Sequence, residues 1–415
     1  MDIGILVIGD ELTSGMTVDT NSSFIASELN AQGWRVSAVM AVGDDENAIK
    51  GGLEYLLGIS GALVVTGGLG PTVDDITTEA VAGAFGLDLY TDEAVLERLK
   101  ERFDRIGLPW TENNAKQAMF PEGAAIIDNP VGTACGFLIE RDDRPVAVMP
   151  GVPGEAKKML SDGVIPLFRE KIEWREHVTK KTIKVFGLTE SRIDQALSYE
   201  DMEIPGVSVG FYPRFPEIRL VVTSRGEDGG LAEENLRVAC ERIERQLSRY
   251  IFGYGDDTME GVAAGLLTGR KLTLSVAESC TGGLITDRLT DVPGSSVFLE
   301  RGVVTYSNTS KVELLGVPAS IIESHGAVSE DVAILMAEGV KKLAGTDIGL
   351  ATTGIAGPTG GTEEKPVGTV FVALSTGRGT TCRRFQFRWD RRRIKEMTSQ
   401  IALNILRKFL IEEID

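Results

Sequence analysis

Along the first 170 residues the apolar positions follow two alternating rhythms. Short unbroken runs at 3–8, 36–42 and 62–66 have the length and β-branched content of buried strands, whereas 21–30 and 46–57 space their apolar residues for one face of a helix. That alternation predicts an α/β fold in which helices wrap a parallel sheet. Ligands of such sheets gather in the loops after the strand C-termini. Here those loops are 9–12 (GDEL) and 67–77 (GGLGPTVDDIT).

The rhythm changes over 171–257. Residues 181–185 read as a strand and 190–197 as a helix; 207–211 and 218–223 form a strand pair around Pro213 and Pro216, and a charged amphipathic helix covers 231–250. This pattern predicts a small α+β module. After the breaker Gly255-Asp256-Asp257 a third segment opens, with a helix at 259–267, a strand at 271–277, helical spacing at 284–289 and a strand at 303–306. A further strand, 348–353, runs into the glycine-rich stretch 354–361. Strands at 368–374 and 381–387 and a closing helix at 391–411 complete the chain. The expected domains are therefore 1–170, 171–257 and 258–415.

Composition narrows the function classes. The 415 residues exceed what one core organises, about 100–200 residues. With 43 basic and 61 acidic side chains the net charge is −18, which argues against a broad nucleic-acid or anionic-membrane footprint. No signal peptide and no apolar run of membrane-spanning length is visible, so a soluble cytoplasmic protein is expected. The four cysteines lie far apart without a C-x-x-C, which fits reduced thiols and gives no zinc pattern. His177 and His325 are the only histidines, so a base for any nucleophile is sought among lysines, tyrosines and carboxylates.

Ser279 is the candidate nucleophile. It falls at the turn from the strand 271–277 into the helical spacing 284–289, where N–H groups of Cys280, Thr281 and Gly282 could stabilise an oxyanion. Lys311 could take its proton and Tyr306 could relay it, in the Ser–Lys variant of triad logic. Asn308 is expected to cap the helix that carries Lys311. Thr353, Gly357, Gly360 and Gly361 could hold a phosphate, with Arg391 or Arg393 supplying charge. The same spacings also fit a plain N-cap at Ser279, a solvated Lys311, a strand-edge Tyr306 and a solvated arginine run, and Cys280 is a rival nucleophile. In the first domain, residues 67–72 can offer N–H groups to a phosphate, and Asp10, Asp74 and Asp75 could hold a hard divalent cation. Turn-forming glycine and capping aspartate explain that stretch equally. Neither a G-x-G-x-x-G nor a P-loop is present.

Longer motifs carry a resemblance. Residues 9–15 (GDELTSG), 66–80 (TGGLGPTVDDITTEA), 129–134 (NPVGTA) and 149–155 (MPGVPGE) together resemble the molybdopterin-binding-like domain of the CinA (competence/damage-inducible) family. The resemblance implies a three-layer α/β sandwich and a metal-dependent ADP-ribose pyrophosphatase. It implies Gly68, Gly70, Thr72, Asn129 and Thr133 at the nucleotide, and Asp10, Asp74, Asp75 and Glu155 at a divalent metal, magnesium or cobalt, with potassium as a further ion. Residues 171–257 resemble that family's KH-type module. Gly187-Leu188-Thr189-Glu190 lacks the basic G-x-x-G loop of RNA binding, so a spacer or oligomer contact is expected.

Residues 276–283 (VAESCTGG), 302–317 (GVVTYSNTSKVELLGV), 326–333 (GAVSEDVA) and 353–370 (TGIAGPTGGTEEKPVGTV) are similar to the CinA C-terminal α/β domain. That likeness implies hydrolysis of nicotinamide mononucleotide to nicotinic acid mononucleotide and ammonia, without a cofactor. Ser279 would then be nucleophile, Lys311 base, Tyr306 and Thr353 supporting groups, and an arginine of the closing helix a phosphate partner. Where the family reads G-D-R followed by a further arginine, this chain reads Trp389-Asp390-Arg391 and Lys395. The functional arginine is thus Arg391 or Arg393. The resemblance also implies a homodimer acting on small nucleotides. A pterin- or nucleotide-binding protein without turnover, or a competence or DNA-damage adaptor, are the alternative functions.

Overall fold

Successive residues of a strand face opposite sides of its sheet, and the first strand uses both sides. In β1 (Asp2–Ile8), Leu6 and Ile8 enter one core while Ile3, Ile5 and Val7 enter another. The computed structural model describes residues 2–172, 177–197 and 203–412. The described chain falls into two units, Met1–Thr179 with Ser224–Glu234, and Lys180–Thr223 with Asn235–Asp415.

In the first unit β1 lies between β2 (Arg35–Val42) and β3 (Ala62–Thr66), both parallel to it. A two-stranded ribbon, β4 (Leu89–Thr91) with β5 (Met119–Pro121), stands apart. The main sheet continues through β6 (Ala125–Ile127), β7 (Gly136–Arg141) and β8 (Arg144–Met149) in the order β2-β1-β3-β8-β7-β6. Helices Glu46–Ile59, Thr77–Phe85 and Glu93–Ile106 cover one face through Leu53, Val81 and Leu99. Helix Asn21–Ala31 and the helical stretch from Pro153 to Lys171 cover the other through Ile25, Leu29 and Phe168. This is the expected three-layer α/β sandwich. The expected loop after β1 is instead one helical turn, Asp10–Thr13.

The central α+β module is a four-stranded sheet, β9 (His177–Val185), β10 (Val207–Arg214), β11 (Glu217–Gly226) and β12 (Ile251–Tyr254), in the order β10-β11-β9-β12. Helices Glu190–Ala196 and Gly229–Leu247 accompany it, with Ile183, Val185, Leu220, Ile193 and Ile243 in one core. Pro213 lies inside β10, so the reversal is tighter than the sequence suggests and sits at Phe215-Pro216.

The last sheet has the order β14-β13-β15-β16-β17, from β13 (Leu274–Glu278), β14 (Leu299–Val304), β15 (Ile348–Gly354), β16 (Thr369–Thr376) and β17 (Gly379–Gln386). Strands β14, β13 and β15 are parallel, and β16 and β17 are antiparallel additions. Helices Met259–Arg270, Leu284–Thr290 and Arg391–Glu412 pack on one face through Leu267, Ile285 and Leu406. Helix Glu330–Ala344 packs on the other through Val332, Met336 and Val340. The chain therefore leaves β13 toward one face and leaves β14 toward the other, which makes the C-terminal end of β13 a topological switch point. Strand β13 starts later than 271, because Lys271 adopts left-handed backbone, φ 56°, to end the preceding helix.

Candidate functional site

The switch point is where the sequence motifs converge. Ser279 follows β13, Thr305 and Tyr306 follow β14, and the glycine-rich stretch follows β15, so three adjacent parallel strands deliver their loops to one edge. The Ser279 N–H bonds the carbonyl of Thr352, and the Thr281 and Thr352 hydroxyls meet at 2.8 Å in the interior. These bonds fix the turn to β15.

The helix after the turn does not present its N-terminus to Ser279. It begins only at Leu284, and its first donors are taken by Glu278, a carboxylate with 0 % exposure. Glu278 accepts from the Gly283, Ile285 and Thr286 N–H groups at 3.0, 3.1 and 2.9 Å and from the Thr286 hydroxyl at 2.7 Å. A helix N-terminus attracts negative charge, and here the protein supplies that charge itself. The dipole of that helix is therefore spent on Glu278 and not on a group at Ser279. The Gly282 N–H is also spent, on the Ser279 carbonyl. Among the described residues the Cys280 and Thr281 N–H groups have no oxygen acceptor and turn toward the Cys280 sulfur, which leaves these two as the candidate oxyanion donors. Sequence reading passed over Glu278 because a carboxylate at a strand end is unremarkable without the helix it caps.

Lys311 is the expectation the structure sharpens most. Spacing alone allowed a solvated helix lysine, yet it is 1 % exposed. Its Nζ donates to Ser279 Oγ at 3.2 Å, to the Thr305 carbonyl at 2.7 Å and to the Tyr306 carbonyl at 3.2 Å. Burial pushes the amine below the usual lysine range, with no carboxylate beside it to restore the charge. Its helix, Asn308–Leu315, is capped by Ser307, whose hydroxyl accepts from the Ser310 N–H, one residue earlier than expected.

Tyr306 serves the lysine through its main chain rather than its phenol. The ring is 60 % exposed, and its hydroxyl accepts from Arg391 at 3.0 Å. Arg391 also donates to the Gly357 carbonyl at 2.8 Å, so it clasps the post-β14 and post-β15 loops. Arg393 turns away, its guanidinium over the Phe215 ring and 4.0 Å from Asp390. Of the two candidate arginines, Arg391 is the one at the site. Thr353 stands beside Ser279 in the β13–β15 register, and its hydroxyl donates to the Ala327 carbonyl. The Gly357, Gly360 and Gly361 backbone forms the loop that Arg391 holds, with Gly357 and Gly360 at positive φ. Cys280 is no rival nucleophile: burial pushes its thiol up to about 12. A Cβ on Gly354 would stand 3.1 Å from that sulfur, so the close fit needs glycine. Lys395, noted only as a departure from the family pattern, lies on the same side, its Nζ 3.5 Å from where a Gly282 Cβ would be.

The first unit has its own cavity, of 610 Å³, at the C-terminal ends of β1, β2, β3 and β8. Asp10, Gly68, Gly70, Thr72, Asp74, Asp75, Thr133 and Glu155 all line it. Gly67 is there because a side chain would collide with the Ile8 carbonyl of the neighbouring strand. Asp75 accepts from the Thr72 N–H at 2.8 Å and from its hydroxyl at 2.5 Å, bracing the glycine loop. Asn129 stands behind the wall rather than on it. Its amide bonds the Ala134 carbonyl, the Val131 and Gly132 N–H groups and Glu155 at 2.7 Å, and so orients that carboxylate. Asp44 is a carboxylate the sequence reading did not single out. It exchanges bonds with Asp10, the Asp10 N–H to Asp44 at 2.9 Å and the Asp44 N–H to Asp10 at 3.1 Å. Burial holds its carboxyl above the usual range, and the nearby carboxylates of Asp10, Glu11 and Asp75 add to that. The rule that found the loops after β1 and β3 would have found Asp44 after β2.

This acidic wall suits a hard cation in chemistry, and its geometry decides in what form. Among the described residues no three acidic, histidine or cysteine side chains converge tightly enough to grip a metal. Asp10, Asp74, Asp75 and Glu155 therefore do not form a cage. Carboxylates set apart in this way could each still serve a hard cation, which takes one or two of them at a time. No helix of the described residues is long and apolar enough to cross a membrane.

Three family models match the chain in succession: "Probable molybdopterin binding domain" over 4–170, "Damage-inducible protein CinA KH domain" over 180–253 and "CinA C-terminal domain" over 256–410. A CinA-like protein of Syntrophus aciditrophicus (strain SB) is 58% identical over 412 residues, covering 99% of this chain and 98% of its own. A CinA-like protein of Geotalea uraniireducens (strain Rf4) is 44% identical over 411 residues, with 99% and 98% covered. Among solved structures, the competence/damage inducible protein CihA from Agrobacterium tumefaciens is 39% identical, covering 36% of this chain and 93% of its own, with a TM-score of 0.35.

Proposed function

The chain belongs to the CinA family, and on that premise we propose that it is a two-activity enzyme of pyridine-nucleotide recycling. Its divisions are a nucleotide diphosphate hydrolase domain at 1–170, a KH-type spacer and dimer module at 171–257 and an amidohydrolase domain at 258–415. The observation that carries the reading is the buried 3.2 Å contact from Lys311 Nζ to Ser279 Oγ.

In the C-terminal domain the substrate is nicotinamide mononucleotide. Neutral Lys311 takes the Ser279 proton as Oγ attacks the carboxamide carbon, and the Cys280 and Thr281 N–H groups receive the developing oxyanion. Each such donor is worth on the order of 3 kcal/mol in comparable sites. Lys311 then returns the proton to the leaving nitrogen, ammonia departs and a nicotinoyl ester remains on Ser279. Water, deprotonated by the same lysine, cleaves that ester to nicotinic acid mononucleotide. Arg391 and Lys395 offer positive charge for the substrate phosphate.

In the N-terminal cavity the substrate is ADP-ribose. Glycines of the loop 67–70 approach the diphosphate and Asp75 keeps that loop in place. A divalent cation, magnesium or cobalt, and a potassium ion would supply charge neutralisation on the diphosphate when bound. Asp10, Asp74, Asp75 and Glu155 are the carboxylates available to it.

Ammonia release from nicotinamide mononucleotide tests the first activity. Ser279→Ala is expected to lower kcat by about 10³-fold or more. Wild-type protein that releases no ammonia, or a variant as fast as wild type, would remove the amidase reading.

A further inference from the structure

The closing helix, Arg391–Glu412, carries two apolar stripes. One, through Ile394, Ala402, Leu406 and Leu410, is buried against the sheet. The other, Met397, Ile401, Ile405 and Phe409, repeats every fourth residue and is only partly covered. It forms the floor of a cavity of 750 Å³, walled by edge strand β17 through Phe385 and by Phe186 and Leu188 of the central module. That volume lies within the range of small-molecule sites, about 300–1,000 Å³.

Charge sets this cavity apart from an ordinary apolar cleft. Arg192, Arg383 and Lys408 reach its wall from three different elements, and the side chain of none makes an ion pair or hydrogen bond among the described residues. Glu412 is the single carboxylate on the wall. Burial, and then the neighbouring cations Arg407 and Arg383, hold the Lys408 ammonium below the usual lysine range, with Glu412 opposing them only in part. In a chain of net charge −18, three cations are thus gathered against their own repulsion with almost no anion to answer them. Like charges brought together cost free energy unless a counter-charge joins them. A second copy docked with this cleft on the two-fold axis would set these cations against their own equivalents. A free anion would not.

We propose that this cavity binds a small amphipathic anion, with an apolar body on the Ile401–Phe409 floor and a phosphate or carboxylate head between Arg192, Arg383 and Lys408. The site is distinct from the Ser279 turn. Lys395 reaches that turn, whereas Lys408 lies thirteen residues further along the same helix, about 20 Å at 1.5 Å per residue.

Two probes separate the sources of such a ligand: decyl phosphate for an acyl body and 1-naphthyl phosphate for an aromatic one. Each is titrated calorimetrically into the full chain beside its neutral alcohol. At least one phosphate is expected to bind one per chain while its alcohol does not, and Arg383→Glu with Lys408→Glu is expected to weaken it at least ~10-fold. The milder Arg383→Gln with Lys408→Gln pair, expected to fall between, covers a folding failure of the charge reversal. The proposal is overturned if neither phosphate binds below millimolar, or if the folded variants bind as wild type does. It is also overturned if the variants alter only the molar mass in sedimentation, which would make the cleft a contact between copies.

Discussion

Replacing Glu278 by glutamine alters one atom and should unsettle the whole turn. The carboxylate accepts four hydrogen bonds, two on each oxygen, all from donors that have no other partner nearby. Glutamine keeps one acceptor oxygen and points an NH2 group at donors, so two bonds to a charged acceptor are lost and at best one neutral bond returns, where the Thr286 hydroxyl turns to accept. Bonds to a charged acceptor are worth about 1.5–3 kcal/mol each, which gives a gross loss of roughly 3–6 kcal/mol. Lost interaction with the helix N-terminus adds up to about 1 kcal/mol. Against this stands the relief of no longer burying a charge, several kcal/mol in the gross but partly retained because the amide is buried too. A net destabilisation of about 2–4 kcal/mol follows. For a unit of this size that is a fall in Tm of roughly 5–15 °C, read by scanning calorimetry. Turnover at Ser279 should fall with it while its pH profile keeps its position, because Lys311 is untouched. Glu278→Gln melting within a degree of wild type would refute the bracing role.

Two further outcomes are expected. Lys311 has its pKa lowered on folding, so between that lowered value and the usual lysine value of 10.5 the unfolded chain binds more protons than the folded one, and stability rises with pH. The unfolding free energy of wild type should therefore gain on that of Lys311→Met between neutral pH and about pH 9.5 in urea titrations, while the variant hydrolyses no amide at either; a constant difference would contradict the buried, uncompensated amine. At the other site, ADP-ribose turnover should vanish with EDTA and return with magnesium or cobalt, and Asp75→Asn should raise the metal needed for half-maximal rate by about 10–100-fold, whereas turnover indifferent to both would exclude a metal-assisted reaction there.

The strands and helices that bury a repeating face were legible in the sequence because their periodicity is the imprint of that face. So were the loops that end them, since a parallel sheet collects its loops at one edge. Lys311 is named as the base from the sequence, but its burial is not legible there, because its amine is enclosed by Ser279 and by the Thr305 and Tyr306 carbonyls, and local spacing carries no trace of neighbours brought in by the fold. Tyr306 is expected to relay or position the serine proton; a strand end directs the carbonyl and the side chain different ways, and here it is the carbonyl that reaches the lysine while the hydroxyl meets Arg391. Gly282 was counted among the oxyanion donors because a string of small residues does not tell which N–H closes its own turn. Asp44 was readable from topology and missed only because the motif search favoured glycines.

The clasp made by Arg391 ties its own position to the order in which a chain is made. Ser279, Lys311 and Thr352, whose carbonyl holds the Ser279 turn, all lie before residue 353, so the nucleophile and its base can pair before the closing helix is made. Arg391 bonds Tyr306 from 85 residues downstream and sits where the final helix begins. A nascent or truncated chain could thus hold the nucleophile and its base yet lack the cation that joins the two loops. On the proposed reading, substrate would meet a complete site only after the helix Arg391–Glu412 has been synthesised and docked, which would make turnover a report on that helix.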